Sequence, residues 1–227
     1  MPTLYEQLEK DVRFVEGLKA CLNCGICTAI CPAAAVSDYD PRQIVNTVQE
    51  RDEVELEKLL KSDYIWRCGE CLSCKTRCPR GNVPCYIIQA LRALSIEKGF
   101  FIESEQGRKQ LAIKRTVGDH ILQYGYCVYI DEVDPETYPE QGPVWKWMRD
   151  NRESMMKRLG TSYRENRAGT LRNTAKESLD DLKKIFDETG GTERFKKIEK
   201  YSSTMAKKLK KDFKGGKDEY WQFLYNE

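Results

Sequence analysis

Histidine is almost missing from this 227-residue chain, with His120 the single one. That excludes any site built on two imidazoles and leaves a Ser–His or Cys–His couple one candidate base, far along the chain from most cysteines. No C-x-x-C pair is followed by histidine, which excludes covalent c-type haem. Long apolar runs are missing too; none approaches the roughly 18–20 residues needed to cross a bilayer. The first twenty residues alternate charged and apolar positions and hold no signal-peptide apolar block, so a cytoplasmic location is expected. There is no Gly-rich dinucleotide fingerprint, no phosphate loop and no paired acid and base that would mark a substrate pocket. At 40% hydrophobic and 33% charged, the chain is poorer in apolar residues and richer in charge than ordinary domains, which predicts a modest core under a large solvated or partner-covered surface.

Cysteine, by contrast, is abundant: there are ten. Without a secretory signal, metal ligation or redox chemistry is a better reading than a disulfide framework. Eight of the ten form two matching runs. Cys21-Leu-Asn-Cys24-Gly-Ile-Cys27-Thr-Ala-Ile-Cys31-Pro32 is the first, and Cys68-Gly-Glu-Cys71-Leu-Ser-Cys74-Lys-Thr-Arg-Cys78-Pro79 the second. Both read C-x2-C-x2-C-x3-C-P, the spacing of cubane [4Fe–4S] ligation. Three thiolates two residues apart can wrap three corners of a cube while the intervening amides point at the sulfides. Gly25 and Gly69 are expected to permit the close backbone approach, and the prolines turn the chain away. In two-cluster ferredoxins the fourth cysteine of each run serves the other run's cluster. The same crossing is expected here: Cys21, Cys24, Cys27 and Cys78 around one cluster, Cys68, Cys71, Cys74 and Cys31 around the other. Structural zinc would call for four ligands, usually as two C-x-x-C pairs, and fits uninterrupted four-cysteine runs poorly. A thioredoxin-like dithiol fits no better. Cys85 and Cys127 lie outside the runs and are expected to pack as small buried hydrophobes; His120 is expected to be a surface or packing residue.

The periodicity predicts an all-α chain. Leu4, Leu8, Val12, Val15 and Leu18 mark a helix over 3–18. Pro41 opens a helix carrying Ile44, Val45 and Val48, and Val54, Leu56, Leu59 and Leu60 mark another, so a helical hairpin bridges the cysteine runs where ordinary ferredoxins place strands. Val83, Ile87, Leu91 and Leu94 mark a helix stopping near Gly99. A further helix is expected over Ser104–Gln123, an irregular arm over Val128–Gly142, a helix from Pro143 and a loop over 160–172. Three segments follow: 1–100 as the cluster domain, 101–160 as a helical and irregular docking arm, 161–227 as a basic helical extension. Residues 1–150 hold 19 Lys and Arg against 23 Asp and Glu, a net of −4, whereas 151–227 hold 19 against 13, a net of +6. Nine lysines lie between Lys196 and Lys217. A solvated or partner-docking face is favoured there over two other readings. One is peripheral contact with an anionic membrane through Trp221, Phe223 and Tyr225; the other is nucleic-acid binding, for which lysine without interleaved arginine is a weak signal.

The stretch Cys21–Gly99 resembles the C subunit of heterodisulfide reductases, an alpha-helical ferredoxin with two [4Fe–4S] clusters. The likeness rests on the first run, Asp40-Pro-Arg42, Tyr64-Ile-Trp66-Arg-Cys68 and Cys78-Pro-Arg-Gly81. The cluster domain of succinate dehydrogenase iron–sulfur subunits is similar but uses its second motif for a three-iron cluster. A second stretch, Tyr138-Pro-Glu-Gln-Gly-Pro-Val-Trp-Lys-Trp147 with Asn151-Arg-Glu153 and Leu159-Gly160, looks like the C subunit of the heterodisulfide-reductase-like complex of sulfur oxidisers, as does Leu179–Gly191. The resemblance implies an electron-transfer subunit with no catalytic site of its own. It would work between a flavin-bearing A subunit and a B subunit with CCG-type domains, with a lipoate-binding protein reached through the complex, in cytoplasmic sulfur oxidation.

Overall fold

The computed structural model describes residues 2–226. It is helical, with no strand among the described residues, and it divides into two units, 1–110 with 197–213, and 111–196 with 214–227.

In the first unit the expected helix over 3–18 is two helices, α1 (Leu4–Leu8) and α2 (Val12–Gly17). Asp11 causes the break: its carboxylate accepts from the Arg13 amide at 2.9 Å and caps α2. Restarting the helix rotates its face. Val12 and Val15, expected inside, are 70% and 51% exposed, while Tyr5, Leu8 and Phe14 are buried. Thr3 and Glu6 form a capping box on α1, and Glu53 reaches over to accept from the Leu4 and Tyr5 amides at 2.7 and 3.1 Å.

After the single-turn α3 (Ile26–Ala29) comes the bridging hairpin, α4 (Pro41–Glu50) and α5 (Glu53–Lys61). Asp40 caps α4 with Pro41 at its first position. Arg51, at φ 56°, ends α4, and Asp52 caps α5 through the Val54 and Glu55 amides at 2.8 and 3.1 Å. Two residues thus reverse the chain. Ile44, Val45, Val48, Leu56 and Leu60 are buried against Ile87, Ile88 and Leu91 of α6 (Pro84–Lys98), which Gly99 terminates at φ 76°. Each such side chain stabilises the unit by about 1.5–3 kcal/mol. Ser104 then caps α7 (Glu105–Arg108). A Cβ on Gly107 would lie 2.9 Å from Trp66 Nε1 and closer still to the Phe101 carbonyl, so none fits. Gly107→Ala is expected to destabilise the protein by about 1–3 kcal/mol, as overpacking does, read as a lowered thermal midpoint.

The expected helix over 104–123 is likewise segmented. The short α8 (Gln110–Ile113) runs through a π-turn over 114–118 into α9 (Asp119–Tyr124). The second unit adds α10 (Gly142–Asp150), α11 (Arg152–Arg158) and α12 (Lys176–Glu188). The irregular arm is tied down by its own ion pairs: Asp131 accepts from Arg152 and Arg164 at 3.0 and 2.9 Å and from the Tyr163 hydroxyl at 2.8 Å. His120 is buried beside Tyr124, and burial lowers its pKa, so the imidazole is neutral and packs.

The basic helix α13 (Gly191–Lys208) buries Ile198, Ser202 and Met205. Within the first unit Tyr201 packs edge-on against Phe101 and Lys197 pairs with Glu97. The lysine stripe is therefore the outer side of a packed helix. The aromatic end, α14 (Glu219–Asn226), is also internal to its unit. Tyr220, Trp221 and Leu224 are buried, with Trp221 edge-on to Tyr138 at 5.8 Å and stacked on Tyr225 at 4.8 Å. Trp221 is thus not an interfacial anchor, because its ring is already used in the core. No helix among the described residues is long and apolar enough to cross a membrane.

Candidate functional site

The two cysteine runs have the same backbone. Asn23 and Glu70, at equivalent places, have φ of 58° and 54°, and their amides donate to the Cys21 and Cys68 sulfurs at 3.3 and 3.4 Å. Two residues on, Gly25 and Leu72 have φ of 78° and 60°. The left-handed positions are thus Asn23 and Gly25 in the first run and Glu70 and Leu72 in the second. Gly69 has no positive φ, and a Cβ there would meet nothing within 4 Å. In the second run Leu72 takes the left-handed conformation that Gly25 takes in the first.

The fold brings the ends of the runs together. The Val83 amide donates to the Gly17 carbonyl at 2.8 Å, and the Lys19 amide donates to Asn82 Oδ1 at 2.7 Å. The Cys21 amide is held by Gln49 of α4 at 2.7 Å. Arg92 of α6 fixes the second run, donating to the Ile65 and Cys68 carbonyls at 2.8 and 2.7 Å and pairing with Glu70 at 2.5 Å. Asp40 fixes the first run to α4: it accepts from the Thr28 hydroxyl and pairs with Arg42 at 3.0 Å. Burial would raise its pKa, but those bonds outweigh burial and hold it low, so the clamp is ionised.

The eight cysteines fall around two cavities. Cys31, Cys68, Cys71 and Cys74 line one of about 120 Å3, walled by Pro41 and Ile88. Cys21, Cys24, Cys27 and Cys78 line a tighter one of about 20 Å3, walled by Ile26 and Val45. Each therefore takes three cysteines from one run and the fourth from the other. Burial pushes the Cys27 and Cys74 thiols up, whereas the Ser73 hydroxyl pulls the exposed Cys71 down. Among the described residues no three His, Cys, Asp or Glu side chains converge closely enough for a single metal ion. Four sulfurs ringing a hollow, with amides turned toward them, form a donor set for a cluster instead.

Residues that carried no sequence signal complete the cavities. Tyr39 and Asn82 are each 2% exposed. Tyr39 lines the larger cavity and Asn82 the smaller, and Tyr39 Oη and Asn82 Nδ2 are buried donors with no hydrogen-bond partner. Burial, with the nearby Cys68 and Cys31 sulfurs, drives the Tyr39 phenol far up, so it keeps its proton. Cys85 is buried as expected, but it too lines the larger cavity, where burial and the Cys68 and Cys74 sulfurs push it up to about 12. Cys127, expected inside, is exposed.

Residues 17–82 match the family described as a 4Fe-4S dicluster domain. The chain is 36% identical over 198 residues to the C subunit of the ferredoxin:CoB-CoM heterodisulfide reductase of Methanosarcina acetivorans, covering 86% of this chain and 72% of that one. It is 30% identical over 128 residues to the iron-sulfur C subunit of the CoB–CoM heterodisulfide reductase of Methanopyrus kandleri, with shares of 55% and 65%. With the corresponding iron-sulfur C 2 subunit of Methanocaldococcus jannaschii it shares 33% over 114 residues, 50% and 54% of the two chains. It thus spans about half to three quarters of the length of these relatives.

Proposed function

The chain belongs to the family of heterodisulfide reductase C subunits, and from that premise we propose that it relays electrons between a flavin and iron–sulfur subunit and a CCG-domain thiol/disulfide subunit, making and breaking no substrate bonds itself. It carries [4Fe–4S] clusters in its dicluster domain. The observation that supports the ligand assignment is the division of eight cysteines between two cavities, three from one run and one from the other in each. Cys21, Cys24, Cys27 and Cys78 would hold one cluster, and Cys68, Cys71, Cys74 and Cys31 the other. A cubane supplies one-electron uptake and release at a potential set by charge, hydrogen bonds to sulfur and exposure.

The residues around the sulfurs serve that role. The Asn23 and Glu70 amides stabilise negative charge on Cys21 and Cys68. The Asp40 and Arg92 clamps keep both loops in place, so little needs to move when charge arrives. Leu22 and Leu72, exposed near the tips of the runs, offer an apolar contact at each loop where a partner's redox centre could approach.

A setting in sulfur oxidation, with a lipoate-binding protein reached through the complex, rests on the resemblance of Tyr138–Gly160; the relatives matched come from methanogens. Anaerobic purification of the native protein tests both levels. About eight iron and eight sulfide per chain are expected, together with flavin-bearing and CCG-type subunits. A preparation with about half that iron would leave only one cubane and reject the relay, and purification without those partners would reject the assembly.

A further inference from the structure

Buried hydrogen-bond donors without a nitrogen or oxygen acceptor stand at both cavities: Tyr39 Oη, beside the Cys68 sulfur, in the larger, and Asn82 Nδ2 with Arg42 Nε in the smaller. Unpaired buried donors destabilise a fold by about 1–3 kcal/mol each, so donors placed at both cavities call for acceptors. Tyr39 and Asn82 are both held in position. Asn82 Oδ1 is engaged by the Lys19 amide at 2.7 Å, which fixes which end of the amide is carbonyl and leaves Nδ2 the free end. The Tyr39 ring packs against Tyr64 at 5.3 Å, and the Tyr64 hydroxyl accepts from the Asp40 amide at 2.6 Å, fastening the ring's neighbour to the next residue. The sulfurs that act on the Tyr39 phenol are those of Cys68 and Cys31, one from each run and both in the quartet of its own cavity.

Resting on the cluster assignment above, we infer that Tyr39 and Asn82 are separate positioning residues for the two redox centres. Tyr39 donates to the sulfurs of the Cys68, Cys71, Cys74 and Cys31 site, and Asn82 to those of the Cys21, Cys24, Cys27 and Cys78 site. A donor to sulfur stabilises the reduced, more negative state more than the oxidised one, so each raises the potential of its own centre. Because each of these two donors serves one cavity, the Tyr39 hydroxyl and the Asn82 amide tune the gap between the two potentials, on top of the Asn23 and Glu70 amides that each run supplies to its own first cysteine.

The test is redox titration of the holoprotein followed by low-temperature paramagnetic resonance, with iron and sulfide measured on every sample. Tyr39→Phe removes only the hydroxyl and is expected to lower the midpoint of one centre while the other stays put. Asn82→Leu removes the donor at similar volume without adding charge and is expected to lower the other centre alone. A site-specific 3-fluorotyrosine at 39 retains the hydroxyl as a stronger donor and is expected to shift the first centre upward, a change of sign that a packing defect does not produce. Unchanged midpoints, a common shift of both centres, or a downward shift with fluorotyrosine overturns the inference. Iron and sulfide near eight per chain in the wild type keep the cluster assignment standing in any of those cases, so the two failures are distinguishable.

Discussion

Cys31→Ala is expected to abolish the cluster of the second run and spare that of the first. Cys31 belongs by sequence to the run beginning at Cys21, yet it lines the cavity of Cys68, Cys71 and Cys74. Alanine is preferable to serine, because a hydroxyl can still offer an oxygen ligand. Iron should fall from about eight to about four per chain, and one of two paramagnetic signals should vanish on reduction. Cys78→Ala is expected to give the reciprocal loss. Cys85 lines the same cavity as Cys31, so the double variant Cys31→Ala/Cys85→Ala is the stringent form, closing the route by which a nearby thiol substitutes. Loss of only the first-run cluster from Cys31→Ala would reject the crossing. Because metal ligation and folding are coupled in small metal domains, a lower thermal midpoint should accompany the lost iron.

The dicluster character was legible in the sequence because the signal is duplicated: two identical spacings, each closed by Cys-Pro, constrain one another in a way that a lone motif does not. The bridging hairpin was legible for a similar reason, since Pro41 and the apolar positions of α4 and α5 agree. What failed did so where tertiary context overrules spacing. The apolar series Leu4, Leu8, Val12, Val15 continues through Asp11 on paper, but the carboxylate caps a new helix and turns both valines outward. Gly69 drew attention because it is glycine, whereas the left-handed residues of that run are Glu70 and Leu72, which spacing does not mark. Tyr39 and Asn82 gave no signal at all. Each is a single polar residue outside any periodic pattern, and only burial without a partner marks it. Composition leaves Trp221 open to a less favoured reading as a membrane contact, but a tail aromatic packs wherever its chain can fold back, here onto Tyr138.

The largest effect on stability is expected from Asp218→Asn. Asp218 and Arg115 form an ion pair at 2.9 Å with both side chains 3% exposed. The same carboxylate accepts from the Lys214 and Gly215 amides at 3.0 Å each and from the Trp221 amide at 2.9 Å, capping α14 where its aromatic residues enter the core. Asparagine keeps one acceptor oxygen, turns an amine toward groups that all donate, and removes the negative charge that faces the buried Arg115 guanidinium. Breaking a buried pair in this way costs about 3–5 kcal/mol, against about 0–1 kcal/mol for an exposed one. Burial alone would raise the carboxyl pKa; the Trp221 amide, Arg115 and the Gly215 amide outweigh it and hold the group below its ordinary value. A carboxylate whose pKa is depressed by folding contributes stability that is complete above its unfolded pKa, about 3.9, and is lost as the pH falls through the lower folded value. The gap between wild type and Asp218→Asn in denaturant midpoint, followed by circular dichroism, should therefore be constant from pH 7 to 5 and shrink below about pH 4. Comparing the two proteins side by side cancels any acid lability they share. A gap under about 1 kcal/mol at pH 7 would mean that water reaches the pair and that it behaves as a surface contact; a gap that widens on acidification would reverse the sign of the linkage and contradict an ionised Asp218 in the folded state.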